Sequence, residues 1–121
     1  MIKVKELVSK IKSNYTLTSK AKMYLRVQGD NKKYILNGYY PGVLETGERF
    51  IALHNQNESS ETILAVDFAH DLIVNNHLWD ATSILTYDNS VECNLISDIK
   101  LTKSSVTLTI EGFKPEVRSR Y

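Results

Sequence analysis

Cysteine and proline are nearly absent from this chain: Cys93, Pro41 and Pro115 are the only ones among 121 residues. A single cysteine excludes an internal disulfide framework and a four-cysteine zinc site, which points to a reducing compartment or to a fold that needs no staple. The expected location is therefore cytoplasmic. Long apolar runs are missing as well. No stretch approaches the roughly 20 residues that span a bilayer, and residues 1–14 lack the apolar centre of a signal peptide, so neither membrane insertion nor secretion by that route is expected. An excess of either charge is also absent. With 15 basic and 14 acidic residues the net charge is +1, which exerts no global pull on nucleic acid or anionic lipid; direct nucleic-acid binding is not expected on that basis. Neither G-x-x-x-x-G-K-[ST] nor G-x-G-x-x-G occurs, so no phosphate cradle and no cofactor are expected.

What is present fits a single domain over 1–121, a length that buries roughly two thirds of the unfolded surface. Val4, Leu7, Val8 and Ile11 fall on one face of a helix predicted over Ile2 to Ser13, with lysines on the wet side. Ser13 and Asn14 favour local hydrogen bonds over helix continuation, and the YTLT that follows is β-branched and aromatic, so the sheet is expected to start there. Lys22 to Gln28 and Lys33 to Tyr39 read as a hairpin around Gly29, Asp30 and Asn31. Gly38, Pro41, Gly42 and Gly47 punctuate a connection. Strands are predicted at Arg49 to Asn55, Thr62 to Phe68, Ser83 to Tyr87 and Val91 to Ile96, with a last hairpin of Ile99 to Thr102 and Val106 to Ile110. Residues 69–80 score equally as helix or strand, 113–121 read as a polar tail, and no internal repeat is visible. The fold class is α+β, an N-terminal amphipathic helix packed on a mostly antiparallel β-sheet.

Three features carry candidate chemistry. Asp67, His70, Asp71, His77 and Asp80 form the densest titratable cluster and contain ligand types for divalent metals. Their spacing matches no zinc pattern, and a solvated loop explains them as well; no metal is expected, although a small metal-dependent hydrolase using His70 and His77 is the enzymatic alternative. Cys93 has His54, His70 and His77 as possible bases, yet in an alternating strand a cysteine usually acts as a small hydrophobe, and no catalytic residue is assigned. Seven tyrosines and Trp79 suit sheet packing or a protein interface. Lysines crowd the first third, either as a solvated face or as phosphate contacts. Exposed edge strands would also suit a homo-oligomeric phage structural protein, and the oligomeric state stays open.

The stretches VKELVSKIKSNYTL and LRVQGDNKKYIL, through Leu7, Ile11, Lys12, Tyr15, Thr16, Arg26, Val27, Asp30 and Tyr34, resemble the start of small type II-A anti-CRISPR proteins of phages. The resemblance covers about the first 36 residues. It implies a non-enzymatic inhibitor of a host defence protein, in the cytoplasm of a bacterial host. In that family the hairpin loop and nearby acids plug the groove where the CRISPR effector nuclease reads its short DNA motif with arginines. By that resemblance Gln28, Gly29, Asp30 and Asn31 would be contact residues, and with Lys32 and Lys33 they make up the expected partner-binding tip. The family is strongly acidic; this chain is neutral and carries Lys32 and Lys33 at its tip.

Overall fold

The spacing of Val4, Leu7 and Ile11 is realised in α1 (Val4–Ser13), which buries all three. In the computed structural model, which describes residues 2–55, 61–75, 83–88 and 93–111, α1 begins where the Glu6 carboxylate accepts the Lys3 N–H at 3.4 Å. There follow β1 (Lys22–Val27), β2 (Lys33–Ile35), β3 (Gly38–Val43), β4 (Arg49–His54), α2 (Ala65–Val74), β5 (Ile84–Asp88), β6 (Cys93–Leu95), β7 (Asp98–Leu101) and β8 (Ser105–Ile110). The α+β class is as expected, but the strands form two four-stranded sheets, ordered β2-β1-β8-β7 and β3-β4-β5-β6. In each, two antiparallel hairpins meet along a central parallel pair, β1 with β8 and β4 with β5.

Contrary to the expectation of no internal repeat, the chain folds as two equivalent halves. Each half runs helix and then four strands, and each gives its first hairpin to one sheet and its second to the other. The register repeats with it. Tyr24 faces Ile35 as Thr86 faces Leu95, and Tyr39 faces Leu53 as Ile99 faces Leu108. Leu36 N–H donates to Met23 O at 3.3 Å, and Ile96 N–H to Leu85 O at the same 3.3 Å. The residue leading into each helix bridges the strand that follows the other helix, Lys3 with Ile84 and Leu64 with Lys22. Reciprocal exchange of equivalent parts is what a local two-fold axis produces. Identity does not betray the repeat because equivalent core positions keep only their apolar character: Leu7 and Phe68, Ile11 and Leu72, Met23 and Leu85, Leu36 and Ile96, all buried.

Several expected elements differ in detail. Residues 65–68, expected in a strand, open α2, because Ala65, Phe68, Ala69 and Leu72 make a buried helical face. YTLT is a turn segment rather than a strand, with Tyr15 97% exposed. The strand expected over Lys33 to Tyr39 divides at buried Leu36, where the chain leaves one sheet for the other. Gly38 to Val43 is strand β3, not a connection. Residues 76–80 and 113–121 lie outside the described residues.

Both helices and both sheets contribute to one contiguous core, with Leu7, Met23, Leu53, Phe68 and Leu108 fully buried. Because each sheet takes strands from both halves, the halves should unfold together. Leu7→Ala should cost about 2–5 kcal/mol and Phe68→Ala about 3–5 kcal/mol, each in a single transition by denaturant titration monitored by two probes. Two separable transitions would show that the halves are independent.

Candidate functional site

The six residues singled out at the β1–β2 tip, Gln28 to Lys33, are all exposed. Their loop is organised by its own hydrogen bonds. Gln28 N–H donates to Ile110 O at 2.8 Å, which holds the loop base to β8, and Asp30 N–H donates to Val27 O at 3.0 Å. Gly29 takes φ +86°, a conformation that glycine adopts without steric cost. Asp30 closes the turn: its carboxylate accepts Lys32 N–H at 2.9 Å, and its carbonyl accepts Arg26 Nε–H at 3.1 Å. Lys32 Nζ lies 5.1 Å from the Tyr34 ring centre and Lys33 Nζ 5.6 Å from that of Tyr24. Both amines are thereby drawn back along the hairpin. Arg26, Gln28 and Gly29 line an open groove with Ser97, Asp98 and Thr109, so the β6–β7 corner extends this surface.

The acidic and histidine cluster is only partly in view. Asp67, His70 and Asp71 lie on α2, whereas His77 and Asp80 lie outside the described residues. Among the described residues no group of three or more His, Cys, Asp or Glu is placed to hold a metal ion. Asp71 instead has a structural role that the sequence did not disclose. It accepts a hydrogen bond from the Tyr39 hydroxyl and another from Asn75 Nδ2 at 2.6 Å, which ties the end of α2 to β3. The Tyr39 ring packs edge-on against Phe68 with centres 4.8 Å apart.

Cys93 and His54 are separated within the second sheet. Cys93 pairs with Asp88, which pairs with His54 in turn, so two strand spacings, roughly 10 Å of backbone, lie between them. Asp88 accepts the Tyr40 hydroxyl at 2.7 Å. Tyr40 also packs near Phe50 and His54, with ring centres 6.4 and 6.2 Å away. The His54 and Phe50 rings lie over Gly38 and Gly42, where any Cβ would collide with them. Aromatic rings thus pack this face. Of the tyrosines, Tyr87 is buried, Tyr24, Tyr34 and Tyr39 are partly so, and Tyr40 and Tyr15 are exposed.

Among the described residues no helix is long and apolar enough to cross a membrane. Comparison with protein-family models, with curated proteins and with solved structures finds no match.

Burial, the Asp71 hydrogen bond and the Asp71 and Asp67 charges push the Tyr39 hydroxyl well above its ordinary range. In the unfolded chain a tyrosine loses its proton near pH 10; in the folded chain Tyr39 retains it, so above that pH the unfolded state binds fewer protons. Stability should therefore fall as pH rises beyond about 10. Tyr39→Phe should flatten this decline in melting curves taken between about pH 8 and 11, and an unchanged decline would dissociate it from Tyr39.

Proposed function

We propose that this protein is a non-enzymatic inhibitor from a phage or other mobile element, which acts in the bacterial cytoplasm by binding a host defence protein. The observation that carries this reading is the β1–β2 tip: six consecutive exposed residues, Gln28 to Lys33, on a loop already fixed by internal hydrogen bonds. A preorganised loop loses little conformational freedom when a partner closes over it, which is the usual way a short segment attains affinity. The resemblance of about the first 36 residues to type II-A anti-CRISPR proteins makes a type II CRISPR effector nuclease the partner to test first. Asp98 lines the groove and Asp30 follows its lining residue Gly29 at the tip, and an arginine-lined recognition site would take such acidic groups. Lys32 and Lys33 oppose that docking, although both are turned back toward tyrosine rings.

Since the Asp30 carboxylate also supports the turn, the informative substitution is Asp30→Asn, which removes the charge and keeps an acceptor for Lys32 N–H. In a DNA-cleavage inhibition assay with the effector, Asp30→Asn and Gln28→Ala should weaken inhibition while leaving melting curves unchanged. If Asp30 pairs with a partner cation that closure buries, its loss costs roughly 2–5 kcal/mol of binding. Lys32→Glu with Lys33→Glu should strengthen inhibition. Full inhibition retained by every one of these variants would remove the tip from the mechanism.

A further inference from the structure

The near-zero net charge conceals a segregation. Residues 7–29 and 99–110 contain Lys10, Lys12, Lys20, Lys22, Arg26, Lys100 and Lys103 and not one Asp or Glu, so the other eight of the 15 basic residues share the chain with all 14 acids. The fold brings these two stretches together. β1 runs parallel to β8, Lys22 N–H donates to Ser104 O at 3.3 Å, and Thr18 N–H donates to Lys103 O at 3.0 Å. The result is a basic end of the first sheet, opposite the tip, where exposed Lys20, Lys22, Lys100 and Lys103 surround the β7–β8 turn.

An aromatic side chain lies three residues before Thr18, whose N–H bonds the β7–β8 turn. Tyr15 is 97% exposed, yet its loop is ordered: Asn14 Oδ1 accepts the Thr16 N–H at 3.1 Å and the Thr16 hydroxyl at 2.7 Å, and Leu17 packs against the core. Thr16, Thr18, Thr102 and Ser104 are exposed as well, with the Thr16 hydroxyl bonded to Asn14 and that of Thr102 to Ser105. The second sheet provides an internal control. Where the first sheet has Lys22, Lys100 and the turn lysine Lys103, the equivalent positions hold Ile84, Tyr40 and a turn containing Glu45 and Glu48. The fold therefore accepts either character, and the lysines answer no need of packing.

We propose that this surface binds the phosphodiester backbone of a single-stranded nucleic acid, with Tyr15 stacking on a base. Lysines and hydroxyls contact phosphate oxygens, and a protruding aromatic ring offers unpaired bases a stacking platform. A protein partner fits less well, because lysine is depleted from the centres of protein interfaces. A lipid surface fits less well too, since among the described residues the apolar face of α1, the helix that carries Lys10 and Lys12, is buried in the core. This reading is independent of the tip.

The test is fluorescence anisotropy with labelled single-stranded DNA and RNA of about 16 nucleotides, the matching duplex, anionic phospholipid vesicles and polyglutamate as probes. At about 50 mM salt the single strands should bind, and affinity should fall steeply by about 200 mM. Lys22→Gln with Lys103→Gln should weaken single-strand binding at least about tenfold and lower the salt slope by about 1.4. Tyr15→Ala should weaken it at least about fivefold and spare the duplex. Lys32→Gln with Lys33→Gln at the tip should change neither, and all variants should keep the parent melting curve. The proposal fails if no oligonucleotide binds at low salt, if the tip variant loses as much as the Lys22 and Lys103 variant, or if Tyr15→Ala has no effect. It fails equally if vesicles or polyglutamate bind more tightly than single strands.

Discussion

Two parallel strand pairs, β1 with β8 and β4 with β5, hold everything else in place. Each joins a strand from one half of the chain to a strand from the other, and without them the protein would be four separate hairpins, none with enough buried surface to persist in water. Parallel strands are usually covered on both faces. Here β5 is buried from Ile84 to Tyr87 and β8 from Ser105 to Leu108. The helices are located by the same pairs, since Lys3 and Leu64, which lead into α1 and α2, bridge the starts of β5 and β1. Helix position, sheet register and core are thus one constraint expressed at several places.

Equivalent halves need not have equivalent surfaces, and here they have diverged. The outward face of the second sheet is closed by aromatic rings laid across Gly38 and Gly42, with Tyr40 and Asp88 joined by a hydrogen bond. That of the first sheet presents Lys22, Arg26, Lys33 and Lys100 at matching places. The tip that carries the proposed inhibitory contact and the lysine end that carries the proposed nucleic-acid contact lie at opposite ends of this first sheet. Roughly 20 Å, the length of a six-residue strand, separates them.

Local signals were legible wherever one element decided its own structure. The apolar faces of α1, the turn at Gly29 to Asn31 and the β7–β8 hairpin follow from periodicity and turn chemistry alone. The failures have one origin. Thr62 to Phe68 reads as a strand because its apolar run lacks a clear period, and only the groove that receives Phe68 and Leu72 selects a helix. The break at Leu36 and Asn37 is marked only by the Gly38 that follows, which reads as the start of a connection; the chain passes between sheets with a buried side chain at the corner and a hydrogen bond from Asn37 N–H to His54 O, 3.1 Å long. The tip's exposure was expected; the service of Asp30 to its own turn was not, although an Asp two residues before the Lys32 N–H is a known turn signature. The acid-free stretches were visible in the sequence, but only β1–β8 pairing makes them one surface.

Exchange of hairpins also sets the order of assembly. As the chain is synthesised, β1 emerges with β2 as its partner on one side, while its other edge waits for β8, whose residues come some 80 positions later. Through that interval β1 presents Met23, Leu25 and Val27 together with a row of unpaired backbone groups, the template on which foreign strands add. Contacts so distant in sequence form slowly. The cations of that strand then act before the fold exists: Lys22 and Arg26, set among the apolar residues, are the gatekeepers that keep the waiting edge from recruiting its neighbours on the polysome.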